Sequence, residues 1–287
     1  MNAAAPVPEY LAHLVDDAAI FPPGNAPLDR AVAEHLDHRR AEYADLVGPF
    51  VVSDVKLPDL IEVVGDRGPL AVSVVVTGGA GAIEPAVRWA GRAPELELRA
   101  LELALRDEED LAHNAARVVA ALDALGDELA GVTAFVEPPR VHGEPGAGWL
   151  AALDELAARE IPLKFRTGGV SAEAFPTSAE LAACIDAALD RELPFKCTAG
   201  LHNAVRHRDE ETGFEHHGFL NVLLATRATL DGEDAAAVLE DTAPAARAEA
   251  LPPDTLARTR RWFTSFGSCS VLEPHHDLVE LGLLGGN

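Results

Sequence analysis

The sequence predicts one α/β domain over residues 1–287, a (βα)8 TIM-barrel-like fold whose parallel sheet closes on itself with the helices outside. Three observations carry this. Short β-rich runs alternate with Ala/Leu/Glu-rich stretches of helical spacing. Several runs are almost continuously apolar, the pattern of parallel strands covered on both faces. About eight such runs fit in 287 residues, near the ~250 of a one-domain barrel. The alternative is an open doubly wound sheet, but no GxGxxG follows the first strand to make its phosphate turn.

The strands read, in order, as Pro49–Ser53, Leu70–Thr77, Leu96–Leu105, Val132–Glu137, Ile161–Thr167, Pro194–Thr198 and Trp262–Phe266. An eighth is placed near Ala18–Phe21, ahead of the rigid turn Pro22-Pro23-Gly24, although the same segment also reads as an N-terminal plug with Asn25 beyond it. Asp107–Leu125 has acids in its first turn and apolar residues at helical spacing. Thr177–Leu189 opens with a hydroxyl cap and a glutamate three residues on, which predicts a capping box. Asp209–Glu215 reads as an exposed loop, and Leu230–Pro253 as helical with weak patterning.

Composition narrows the partners. A net charge of −24 repels phosphate backbones and anionic lipid, so neither nucleic acid nor membrane is an expected partner, and acidity serves solubility. Cys184, Cys197 and Cys269 are too few and too scattered for a disulfide framework or a CxxC zinc site. The opening MNAAAPVPEYLAHLVDD lacks a basic start and a long apolar core, and no apolar run reaches the ~20 residues of a membrane span. These features together predict a cytoplasmic protein. A homo-oligomer is left open.

The chemistry gathers at two strands. Of 23 basic residues only three are lysines, Lys56, Lys164 and Lys196. Two of them lie within matching apolar strands, PLKFRTG and PFKCTAG. Period-two alternation puts Lys164 and Arg166 on one face, and Lys196 and Thr198 likewise, pointing into the barrel. A buried lysine beside other cations can lose its proton and act as an amine nucleophile or base. The same residues can instead cradle a substrate carboxylate or phosphate, or form structural ion pairs with Glu102 or Glu137.

Other candidates lie at the strand ends. Glu137, stopped by Pro138-Pro139, is placed at the rim as a general acid or base. Gly200, after the second lysine strand, and Gly267-Ser268, after the last strand, offer backbone N–H groups to an anion, or are simple turn residues. His202, His207, His216 and His217 cluster in one loop region. They are expected to bind or orient substrate, with His202 a proton shuttle, or else to hold a divalent metal in a hydrolase or lyase, though no HExxH is present. No other cofactor is predicted.

The segments DDAAIFPPGNAP, LKFRTGG, PFKCTAGLHNAVRH, HHGFLNVLL and FGSCSVLEP together resemble a family of bacterial α/β-barrel-like proteins with no assigned chemistry. The paired lysines also resemble those of class I aldolases of the deoxyribose-phosphate type, which carry a Schiff-base lysine on the sixth strand and another on the seventh. That likeness covers two strands and departs at Arg166, where those aldolases have a small hydroxyl residue. It implies lyase chemistry. The expected function is therefore a lyase, aldolase or isomerase acting on a small anionic carbonyl compound. Its residues are Lys164, Lys196, Glu137 and His202 for catalysis and Arg166, Thr198, Gly200, Gly267 and Ser268 for the anion. A barrel that binds a small anion without turnover is the remaining reading.

Overall fold

In the computed structural model, which describes residues 6–106, 109–210 and 212–285, eight parallel strands close into a barrel. They are β1 (Val15–Asp17), β2 (Val47–Ser53), β3 (Leu70–Val76), β4 (Leu96–Ala104), β5 (Thr133–Glu137), β6 (Leu163–Arg166) and β7 (Phe195–Thr198), then β10 (Phe263–Ser268). The closure is direct. Val15 pairs with Val47 of β2 on one side and Phe266 of β10 on the other. The open-sheet alternative is thereby overturned.

Two further corrections concern the sequence reading. The first strand is Val15–Asp17, and Ala18–Phe21 is the turn that follows it, with Phe21 N–H donating to Ala18 C=O at 2.9 Å. The acids at 16 and 17 look like a polar cap, but each is neutralised within the fold. Of the loop read over Asp209–Glu215, only Glu215 lies on a strand: β8 (His207–Arg208) pairs antiparallel with β9 (Glu215–His216), and the loop joins them.

Each barrel strand is followed by helix. The last crossover is the most elaborate: helix Phe219–Asp231 is buried from Phe219 through Thr226, because helices Ala235–Leu239, Pro244–Ala250 and Pro253–Thr259 cover it. Asn221 stitches this layer. Its side chain accepts from Arg206 N–H at 2.9 Å and donates to Val238 and Asp241 carbonyls at 3.0 and 2.7 Å. The predicted capping box forms, with Thr177 and Glu180 bonded reciprocally at 2.8 and 3.2 Å. The helix anticipated over Asp107–Leu125 runs Leu111–Asp123 with Asp110 as its cap; residues 107 and 108 lie outside the described residues.

Apolar side chains of one parity pack outward under the helices. Phe195 meets Phe165 and Phe263 with ring centres 5.2 and 5.6 Å apart, and Phe219 stacks on Phe266 at 4.8 Å. The opposite parity faces the lumen. There β2, β3 and β10 present small residues, Gly48, Ser73, Ser265 and Gly267, while β4, β6 and β7 present long charged ones. Small wall residues leave volume for long side chains from across the barrel, so this lumen is packed with polar groups rather than the usual branched apolar layers.

Gly48 shows how tightly that volume is used. A Cβ placed there would lie 2.2 Å from Asp16 Oδ1. Gly48→Ala is expected to push the Asp16 carboxylate off its partners and lower stability by about 1–3 kcal/mol, read from chemical denaturation midpoints.

Candidate active site

Six charged side chains form one chain of contacts through the lumen, alternating in sign. Asp16 Oδ2 accepts from Lys196 Nζ at 2.5 Å, and the same ammonium reaches Glu102 Oε1 at 2.6 Å. Glu102 Oε2 accepts from Lys164 Nζ at 3.1 Å. Lys164 then pairs with Glu137 Oε2 at 2.9 Å, and Glu137 Oε1 accepts from Arg166 Nε at 2.8 Å. Ser265 and Ser73 hydroxyls donate to Asp16 and Glu102, each at 2.8 Å. The ring of Phe135 lies 5.4 Å below Lys196 Nζ.

The register explains how the sequence assembles this chain. Lys164 and Lys196 stand directly opposite one another on β6 and β7, the sixth and seventh strands, and Arg166 stands opposite Thr198. Asp16 pairs with Gly267 on β10, while Gly48 on β2 leaves the room its carboxylate occupies. Burial falls along the chain of charges. Lys196 is 1% exposed and Lys164 4%, while the Arg166 side chain is 47% exposed at the barrel's C-terminal mouth. The ladder therefore runs from a sealed interior to solvent at one end, the end where (βα)8 active sites sit.

The protonation states follow from the geometry. Burial alone would strip the proton from Lys196, but the carboxylates of Asp16 and Glu102 outweigh it and raise the ammonium above its ordinary range. The groups that contact this ammonium are carboxylates rather than the neighbouring cations of the sequence expectation. Burial pushes Glu102 up, yet two ammonium groups and Ser73 hold it far below the usual carboxylate range. Glu137 is likewise lowered, Lys164 and Arg166 prevailing over burial. Asp16 shares a single ammonium, and there burial prevails and raises the carboxyl.

The other predicted residues divide. Thr198 and Gly267 pair at the mouth, and the Gly267 Cβ position faces Thr198 Oγ1 at 3.7 Å. Ser268 is 1% exposed and spends its hydroxyl on the Ser270 carbonyl at 2.7 Å, so it is turned away from any ligand at the mouth. Gly200 is a packing residue: its φ is +76°, and an added Cβ would sit 2.8 Å from the Thr167 carbonyl.

The four histidines do not form one centre. His207 and His216 stack on each other at 5.1 Å. His217 is buried with Nε2 on the Pro176 carbonyl at 2.8 Å. His202 lies against Glu273 and Cys269. Among the described residues no group of three or more His, Cys, Asp or Glu side chains is arranged to hold a metal ion. The hairpin pairs His207 with His216, while His202 and His217 find other partners.

Sequence reasoning missed Asp16, Ser73, Ser265 and Gly48. A signal was available for the first. Two lysines inside apolar strands require compensating acids, and Asp16-Asp17 is an acidic pair beside an apolar stretch. Asp17 turns the other way, outward, where its Oδ2 meets His35 Nδ1 at 2.9 Å. A separate open groove of about 770 Å³, bounded by Ile61, Trp89, Arg92 and Pro94, lies at the opposite end of the barrel near the start of β4, away from the charged lumen.

Comparison with protein-family models and with curated proteins returns no match for this chain.

Proposed function

We propose that this protein is an enzyme of the isomerase or lyase type that moves a proton on a small anionic carbonyl compound at the C-terminal mouth of the barrel. Arg166 pairs with the substrate's anionic group, and Thr198 and Gly267 line the space beside it. Lys164 polarises the carbonyl oxygen, and Glu137, freed of Arg166 when that guanidinium turns to the substrate's anionic group, exchanges the proton on the neighbouring carbon.

The observation that carries this reading is the six-charge ladder that ends in a half-exposed guanidinium. Stability alone does not call for it, since apolar side chains of like volume replace buried ion networks at no loss, often with a gain. A buried file of paired charges opening at the functional end of the fold is instead suited to hold fixed dipoles against a reacting group. Proton transfer is favoured over Schiff-base chemistry at Lys196 because that amine is raised and gripped from both sides. The three unpaired cysteines fit a reducing, cytoplasmic setting. No helix among the described residues is long and apolar enough to cross a membrane.

Calorimetric titration with small carboxylated and phosphorylated aldehydes and ketones tests the anion contact. Arg166→Met is expected to weaken the tightest of them about tenfold to a hundredfold, the loss of one or two charge-assisted hydrogen bonds. Unchanged affinity in that variant would remove Arg166 from the site.

A further inference from the structure

A second constellation stands at the same end of the barrel, outside the ladder. Cys269 directly follows β10, two residues beyond the Asp16–Gly267 pair. Its Sγ lies against the imidazole of His202, on the loop after β7, 3.8 Å from Nδ1 and 3.7 Å from Nε2. The other ring nitrogen, Nδ1, meets Glu273 Oε2 at 2.8 Å, in the first turn of helix Leu272–Glu280. Three separate loops and helices thus bring together a thiol, an imidazole and a carboxylate in series. Burial disfavours the imidazolium, but Cys269 and Glu273 together raise His202 to about 10. The other two thiols lie deeper in the fold. Cys184 and Cys197 are buried beneath helices, where burial pushes the first to about 12 and the second higher still.

We propose that Cys269 is a nucleophile at the barrel mouth, with His202 carrying its proton and Glu273 orienting the imidazole, and that it adds to the carbonyl carbon of a small anionic aldehyde. Glu273 occupies Nδ1 and so leaves Nε2 to exchange a proton with the adjacent sulfur, the roles of a nucleophile, a base and an orienting acid. In the addition, a sulfur lone pair forms the C–S bond and the C=O π pair moves to oxygen. The proton shared by Sγ and Nε2 passes through His202 to that oxygen. The product is a hemithioacetal; nothing is oxidised or reduced and no group leaves. The aldehyde class rests on the reading of the mouth as a carbonyl site, whereas the activation of the thiol stands without it.

Iodoacetamide labelling of the folded protein, mapped by mass, tests both parts. At about pH 6 an ordinary thiol is almost wholly protonated and labels slowly. The expected result is a single label at Cys269 at that pH, slowed about tenfold or more by His202→Gln and lost in Cys269→Ser. Cys184 and Cys197 remain unlabelled, which reports that each variant is folded. Glyoxylate, an anionic aldehyde, is expected to protect Cys269 reversibly. A wild-type rate that rises only around the ordinary thiol pKa, or one indifferent to His202→Gln, overturns the nucleophile. Fast labelling without glyoxylate protection overturns the aldehyde, and leaves proton transfer at Glu137 to be judged by its own measurement.

Discussion

Glu102→Leu is expected to destabilise the fold by about 3–5 kcal/mol, because it leaves two buried ammonium groups with one carboxylate each. Glu102 is the centre of the ladder, bonded to Lys196, Lys164 and Ser73 at 2.6 to 3.1 Å. Against a total of about 5–15 kcal/mol for a typical domain, that loss is large, and urea denaturation reads it directly. Removing the charges together, with Asp16→Asn, which keeps an acceptor for Ser265, and Glu102→Leu, Lys164→Met and Lys196→Met, is expected to recover most of the loss. A cost below about 1 kcal/mol for Glu102→Leu alone would mean that water, not protein, satisfies these charges.

The pH dependence has a defined sign. Glu102 and Glu137 are lowered in the folded state, so their contribution is present above the unfolded value of about 4.3 and fades as pH falls through the folded ones. Lys196 is raised, so its contribution is present below about 10.4 and is lost as pH climbs through its folded value. Asp16, raised by burial, opposes them in part: its share is present below about 3.9 and declines as pH rises through its folded value. The stability gap between wild type and Glu102→Leu is therefore widest at neutral pH and narrows in acid.

Glu137→Gln is expected to lower turnover by about 10²–10⁴ with little change in KM, since it keeps the shape of the side chain and removes the proton acceptor. The contrast with Arg166→Met, which raises KM, separates proton transfer from anion binding. Stability of Glu137→Gln should fall far less than that of Glu102→Leu, because Glu137 lies near the mouth and Lys164 retains Glu102. Equal loss of kcat and stability in the two variants would assign Glu137 to structure alone.

The barrel was legible because alternation and apolar runs are local properties. So were Lys164 and Lys196, whose rarity beside Arg and whose strand parity place them opposite one another inside. Their partners were only half legible. Glu102 and Glu137 interrupt apolar strands and stand out. Asp16 meets Lys196 across 180 positions of sequence, and no local pattern reports that. β1 is displaced for the same reason: the apolar run Ala18–Phe21 reads as the strand until the lumen ammonium and His35 are seen beside the acids that precede it. The hairpin of two-residue strands is too short for any periodicity, so the sequence does not report that it pairs His207 with His216 and leaves His202 and His217 to other partners. Cys269 gave no signal at all, since a cysteine in FGSCS looks like turn chemistry until folding sets His202 and Glu273 next to it.

The most direct test of the mouth as a proton-transfer site is exchange in deuterium oxide. The protein would be incubated with the same panel of small anionic aldehydes and ketones and followed by proton NMR. Loss of the signal from the hydrogen beside the carbonyl in one member, catalysed by wild type and not by Glu137→Gln, is the predicted result. Arg166-dependent binding with no exchange in any member would contradict it and leave a barrel that holds an anion without turning it over.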